Sequence, residues 1–155
     1  MRPLLLAIAA AIAGTFLAGC GRDGDSRVVF SAFRSVSPGG WRFTDTLCIP
    51  MHLMTDTAAV RGDVAVTVRH SVEYPYSNLW LELLLPADTA AANVELADVF
   101  GSWHGSGMGL TYERTDTVLR GVVLSPADTI RIHHLMRVDT VPGIEQIGIF
   151  FIARR

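Results

Sequence analysis

The chain has 155 residues, half of them hydrophobic, with 13 basic residues against 15 Asp and Glu and a formal net charge of −2. All of the basic residues are Arg, and the absence of Lys excludes Schiff-base chemistry, Ser-Lys dyads and any phosphate loop that depends on a lysine. Without a basic surplus there is no electrostatic footprint for a nucleic-acid partner.

Arg2 is followed by an uncharged run from Leu4 to Leu17 that ends in Leu17-Ala18-Gly19-Cys20. A positive start, a short apolar stretch and small residues before the cut form a signal peptide. The run is shorter than the about twenty residues a membrane-crossing helix needs, so residues 1–19 are expected to be removed rather than kept as an anchor. Ala18 and Gly19 suit the narrow cleft of a processing enzyme. Cys20 supplies a thiol for thioether formation, so covalent diacylglycerol and an N-acyl chain are expected there, with no other cofactor. One fatty chain binds a bilayer only marginally, at ~0.8 kcal/mol per buried methylene, whereas two or three hold a protein there. Gly21 stands where an Asp would favour the inner membrane, which directs the expectation to the outer membrane. Residues 20–27 read as the lipidated Cys and a flexible polar tether. Asp23 and Asp25 in that tether are compatible with surface export or with plain solvation, so the leaflet stays open.

Residues 20–155 hold twelve Arg and fifteen acidic residues, a net charge of −3, and suit one domain, placed at 28–155. Cys48, in Leu47-Cys48-Ile49, has no partner for a disulfide and reads as a buried, inert thiol. Short segments rich in β-branched and aromatic residues are separated by Pro, Gly, Asn, Asp and Ser, the punctuation of an antiparallel sheet protein. Strands are expected over 28–33, 41–49, 64–72, 79–85, 108–114, 118–124, 129–136 and 146–152. In the third, Val64, Val66, Val68, His70 and Val72 share one face, the pattern of a half-buried strand. Segments 79–85 and 147–152 are apolar on nearly both faces and are expected in mid-sheet under a second layer. Helical spacing is weak and confined to 90–99, and the intervals are too short for crossover helices. The expected fold is an all-β antiparallel sandwich of jelly-roll character.

Asp-Thr occurs six times, at Asp45, Asp56, Asp88, Asp116, Asp128 and Asp139. No calcium-loop spacing accompanies these pairs, so they read as turn-to-strand junctions where the carboxylate accepts backbone hydrogen bonds. Three stretches stand apart from plain strand and turn. In Glu73-Tyr74-Pro75-Tyr76-Ser77-Asn78-Leu79-Trp80-Leu81, a fixed Pro angle offers two rigid rings beside a turn-capping Asn. The segment from Gly101 to Gly109 sets Trp103 and His104 among four Gly. The third runs from Ile132 to Gly148. Adjacent His133 and His134 point to opposite strand faces and cannot readily share a metal, so no metal site is expected. Arg137 and Asp139, two residues apart, permit a local ion pair. No nucleophile elbow or catalytic Ser-His-Asp spelling is present.

Together these stretches resemble the gliding-motility lipoprotein family GldH. The resemblance is carried by Val68-Arg69-His70 leading to Tyr74-Pro75-Tyr76-Ser77-Asn78-Leu79-Trp80-Leu81, then the Gly101 to Gly109 loop. It continues through His134-Leu135-Met136-Arg137-Val138-Asp139 and Pro142-Gly143-Ile144-Glu145-Gln146-Ile147-Gly148, and spans roughly 41–151. It implies an envelope lipoprotein required for gliding, functionally tied to the type IX secretion machinery, with no enzymatic activity and no catalytic residues to carry over. Its partners would be other envelope proteins of that machinery. Tyr74, Tyr76, Asn78, Trp103, His104, Arg137 and Asp139 are the candidate contact residues. The alternative is a carbohydrate-binding sandwich lipoprotein, which needs Trp41, Trp80 or Trp103 exposed; the two-sided apolar pattern around Trp80 argues partly against it.

Overall fold

The computed structural model describes residues 26–53 and 58–154; the lipid-attachment residue Cys20 lies outside them, as does Asp56. Eleven strands follow in chain order: β1 (Ser26–Ser35), β2 (Trp41–Arg42), β3 (Leu47–Pro50), β4 (Val60–Ser71), β5 (Asn78–Leu84), β6 (Thr89–Glu95), β7 (Ser106–Met108), β8 (Thr111–Leu124), β9 (Thr129–His134), β10 (Thr140–Val141) and β11 (Ile144–Arg154). Every pairing is antiparallel. One sheet has the order β1-β11-β4-β8-β7, the other β3-β9-β5-β6, and β10 and β2 form a two-stranded ribbon. The fold is an all-β sandwich.

The alternation expected for β4 is present: Val64, Val66, Val68 and His70 are fully buried. They face Leu79, Leu81 and Leu83 of β5 and Ile130 and Ile132 of β9 in one continuous core, with Ile147, Ile149 and Phe151 of β11 beside them. Each such side chain stabilises the fold by about 1.5–3 kcal/mol. The two strands apolar on nearly both faces, β5 and β11, do sit in mid-sheet. Ala65 and Thr67, on the outer face of β4, are buried as well. Phe33 and Phe150 meet edge-on at 5.6 Å over that face, and Thr67 is tied to Thr115 by a hydroxyl bond of 2.6 Å.

Several boundaries differ from the expectation. The segment 41–49 is two short strands, because the chain turns at Phe43–Thr46 to carry β2 to its distant partner β10. The segments 108–114 and 118–124 belong to a hairpin in which β8 continues unbroken past Asp116, its bulges opposite Gly62–Ala65 absorbing the twist. The weakly helical 90–99 begins as strand β6, since pairing with β5 overrides a marginal periodicity. Val72 follows the end of β4 and is exposed. β1 starts at Ser26, opposite Arg154, so it takes in the last two residues assigned to the tether. Cys48 is exposed, not buried: Ile49 points into the core, and strand alternation turns its neighbour outward. Asp88, Asp128 and Asp139 each immediately precede a strand, and the carboxylates of Asp88 and Asp128 accept backbone N–H groups at 2.8 Å and 2.7 Å. Asp116 departs from this, lying inside β8, and so does Asp45, which stands two residues before β3 with its carboxylate on the Arg42 guanidinium.

The registers give the sandwich two ends. Ser26, Gly62 and Arg154 gather at the amino-terminal pole. Ser35 beside Gln146, Ile144 beside His70, and Tyr112 beside Gly107 mark the opposite pole, about 30 Å away along β1. The amino-terminal pole is clasped by Asp63, a buried carboxylate that accepts the Gly121 N–H at 2.9 Å and pairs with Arg154 and Arg120. Burial pushes its pKa up, but the Gly121 amide and the two guanidiniums outweigh this and hold it below 3.8. A carboxyl depressed on folding stabilises above its unfolded pKa, and that contribution is lost as pH falls through the folded value. Asp63→Asn is expected to lower stability by about 1–3 kcal/mol at pH 7 in urea unfolding and to flatten the decline below pH 4. An unchanged midpoint would remove the clasp.

Candidate functional site

All three singled-out stretches end at the pole opposite the amino terminus. In the first, the Tyr74 N–H donates to the Ser71 carbonyl at 3.1 Å and the Tyr74 hydroxyl to the Asn78 carbonyl at 2.8 Å, which closes the turn from β4 to β5. Tyr74 is only 3% exposed, which leaves it almost no surface for a partner, and burial pushes its phenol well above the ordinary value. Tyr76, half-buried, packs edge-on against it at 5.6 Å. The Asn78 side chain bonds across to Asn93 at 2.8 Å, so its amide locks β5 to β6.

In the second stretch, Trp103 folds inward against His70 at 4.5 Å, with Tyr74 and Tyr112 at 6.5 Å and 6.2 Å. The ring plugs the gap between the two sheets. The His104 N–H bonds the Leu96 carbonyl at 2.8 Å, so residues 96–104 form a small hairpin. Its tip is pinned by the Asp98 carboxylate, which accepts the N–H groups of Phe100 and Ser102 at 2.8 Å and 2.9 Å. The Ser102 amide first, then that of Phe100, lowers its pKa. Gly101 takes the left-handed conformation that closes the turn, and at Gly105 a Cβ would overlap the Glu113 carbonyl. The outcome is that Val99 and Phe100 stand 93% and 89% exposed. On the neighbouring β7–β8 hairpin, Met108 and Leu110 are 88% and 74% exposed, and the Leu110 carbonyl is held by the Val72 N–H at 2.9 Å.

The third stretch supplies the floor. The Gly143 carbonyl accepts from Ser71 at 2.8 Å, and Glu145 takes the Thr111 hydroxyl at 3.2 Å. Arg137 and Asp139 are both exposed, and the ion pair their spacing permits is not formed. Among the described residues, Glu73, Glu95, Asp98, Asp139 and Glu145 have no cationic partner, so the pole is acidic, with Arg137 as an isolated positive group.

Of the seven candidate contact residues, the structure thus gathers six near this pole as support or rim, with Tyr74 beneath the surface. The four most exposed apolar side chains, Val99, Phe100, Met108 and Leu110, were missed. The available signal was an Asp and a Gly bracketing two apolar residues in Asp98-Val99-Phe100-Gly101. Trp80 also departs from expectation: it points away from the core and is 44% exposed. Among the described residues, no three His, Cys, Asp or Glu side chains come together as a metal-holding group.

The profile of the GldH lipoprotein family matches residues 28–150, nearly the whole described chain. The chain belongs to the GldH lipoprotein family. This GldH lipoprotein is accordingly a lipid-anchored envelope protein of the gliding-motility type. No curated protein matches it. Two solved structures are similar at 12% identity over 81% of the chain. A family 35 carbohydrate binding module from Clostridium thermocellum, 91% covered, has a TM-score of 0.34. A family two carbohydrate esterase from Cellvibrio japonicus, of which the GldH chain spans 36%, has a TM-score of 0.30. Likenesses of this size bear on neither fold nor ligand.

Two buried imidazoles, those of His70 and His134, are expected to make the GldH chain sensitive to acid. His70 donates through Nδ1 to the Ser71 carbonyl at 2.9 Å, while its Nε2 has no partner among the surrounding rings. His134 has none at either nitrogen and lies 5.6 Å from the Trp41 ring. His133, on the opposite face, instead meets Glu82 at 2.8 Å. Burial lowers the pKa of both His70 and His134 below 6.5; the Ser71 carbonyl opposes it for His70, and the Trp41 backbone, without a well-formed hydrogen bond, for His134. The unfolded chain therefore takes up protons first, and stability is expected to fall as pH drops below about 6.5. Urea midpoints should be lower at pH 5 than at pH 7.5, and His134→Leu should reduce that difference with little loss at pH 7.5, since it removes two unpartnered nitrogens. A pH-independent midpoint would show that these rings are not held neutral.

Proposed function

We propose that this GldH lipoprotein is a non-enzymatic assembly component of the gliding-motility machinery, functionally linked to type IX secretion. In this reading it stands on the outer membrane through lipid on Cys20 and holds another envelope protein at the pole opposite its amino terminus. The observation that carries the reading is the set of four large apolar side chains, 74–93% exposed, on two pinned loops at that pole. Scattered apolar residues are ordinary on a surface, but side chains fixed outward on ordered turns are suited to a partner's pocket. The acidic rim disfavours an anionic bilayer as the occupant and favours a protein with an apolar pocket edged by basic residues. His104 and Asp139 lie around the contact, while Tyr74 and Trp103 hold its loops in place. Lipid attachment and the secretion link rest on the signal sequence and family membership.

One observation favours a second reading, carbohydrate binding: the outward Trp80. Trp41 is fully buried and Trp103 is packed on His70, so no second indole joins Trp80 in a stacking row. Glycan binding abolished by Trp80→Ala would support that alternative.

For the assembly reading, a photo-crosslinking residue at Phe100 in living cells should join the lipoprotein to a discrete envelope protein, whereas one at Val123, exposed near the amino-terminal pole, should not. With the crosslinking residue placed at Val99 instead, the double variant Phe100→Ser, Met108→Ser should stay membrane-bound, keep its stability within about 0.5 kcal/mol and lose the adduct. Equal adducts from both positions, or an adduct indifferent to the double variant, would defeat the reading.

A further inference from the structure

A cleft separate from the two loop tips lies on the outer face of the smaller sheet. It has a volume of about 620 Å³ and is bordered by Tyr76, Trp80, Ala91, Met136, Arg137 and Val138. Its origin is in the strand pairing. β9 stays in register with β5 only as far as His134 opposite Leu81. The Leu135 N–H still reaches the Trp80 carbonyl at 2.8 Å, but the next donor, the Trp80 N–H, is taken by the thioether of Met136 at 3.4 Å instead of by a carbonyl. The chain therefore lifts off the sheet at Met136 on its way to β10, and residues 136–138 become a wall. Trp80 forms the floor, and Ala91, small and exposed on β6, leaves the far side open.

The chemistry of the lining is lopsided. Trp80, Met136, Val138 and Ala91 are apolar, and the side chains able to hydrogen-bond are Tyr76 and Arg137. No carboxylate or amide borders the cleft. On the same face Glu82, two residues from Trp80, is engaged by His133 at 2.8 Å, and Asp139 leaves Arg137 unpaired. A guanidinium is a donor only, with a fork shaped for a carboxylate. A neutral sugar, rich in hydroxyls that both donate and accept, would find few acceptors here. A peptide with a large apolar side chain next to an Asp or Glu satisfies both halves: the side chain covers the Trp80 ring while the carboxylate pairs with Arg137.

We propose that the cleft between Trp80 and the 136–138 wall is a second contact site that takes an acidic, apolar peptide segment, with Arg137 as its anion-binding residue and Trp80 as its apolar floor. It rests on the reading that the chain binds another envelope protein, and assigns part of that partner's chemistry. The GldH chain would then grip its partner twice, by loop tips that enter an apolar pocket and by a cleft that receives an acidic segment.

The test uses the full lipidated chain in nanodiscs and two end-blocked fluorescent peptides, Gly-Ser-Asp-Phe-Gly-Ser and the same peptide with Asn in place of Asp. Fluorescence anisotropy at low salt should show the Asp peptide binding about fivefold more tightly, as expected of one partly exposed ion pair. Arg137→Gln should erase the preference, and Ala91→Leu, which fills the open side without touching the core, should weaken both peptides. Phe100→Ser should change neither, which separates this site from the loop tips: failure of a crosslinking residue at position 100 to form any adduct, with peptide binding intact, removes the pole contact alone. Absence of binding, equal affinity for the two peptides, indifference to Arg137→Gln, or displacement of the peptide by a neutral glucan oligosaccharide would overturn the proposal.

Discussion

The pairing of β1 with β11 is the constraint on which the rest depends. The ladder from Ser26 beside Arg154 to Ser35 beside Gln146 fixes where the amino terminus meets the domain. Because every neighbouring strand is antiparallel and in register with it, it also fixes which turns lie at the far end. The outer-face rings of Phe33 and Phe150 reinforce this pairing, and Asp63 ties Arg154 of β11 to the bulge of β8. With that end clasped, the segments from 72 to 78, from 96 to 110 and from 136 to 143 are left together at the other, tied to one another by the Ser71–Gly143, Val72–Leu110 and Leu96–Ser77 backbone bonds.

That far end combines two tendencies. Beneath it, His70, Tyr74, Trp103 and Tyr112 form a cluster of rings between the sheets, at the expense of burying one imidazole nitrogen, His70 Nε2, without a partner. Above it, Asp98 and the hairpin of β7 and β8 hold apolar side chains out in water. Both arrangements are costly for an isolated domain, and both lie in or next to the stretches that carry the family resemblance. Local rules are broken where a protein meets something else, which is consistent with a contact surface supported by a rigid aromatic base.

Much of the fold was legible because it obeys period-two patterning. Val64, Val66, Val68 and His70 face inward as their alternation requires, β5 and β11 lie in mid-sheet, and Asp88, Asp128 and Asp139 mark the starts of strands. What could not be read depends on partners distant in sequence. The break between Trp41 and Leu47 exists because β2 pairs with β10, roughly a hundred residues on, and β8 runs through Asp116 because β4 offers a long template. The three stretches singled out in the sequence meet at one pole, but not every side chain named in them reaches the surface. Aromatic rings such as Tyr74 and Trp103 look like contact groups in a linear string, yet they are large enough to be drawn inside. Trp80 was obscured in the opposite sense, since Leu84 on its face made the strand look two-sided. Only the actual layer, present on one face alone, decides which side is covered.

The central claim is one of polarity, and it can be measured directly on the lipidated chain in nanodiscs whose headgroups carry spin labels. Amide signals of Ser26 to Val28, Gly62 and Arg154 should be strongly broadened, while those of residues 98–110 should be scarcely affected. Broadening at residues 98–110 equal to or greater than that at the amino-terminal pole would mean that the loop tips rest on the bilayer, and would contradict the account.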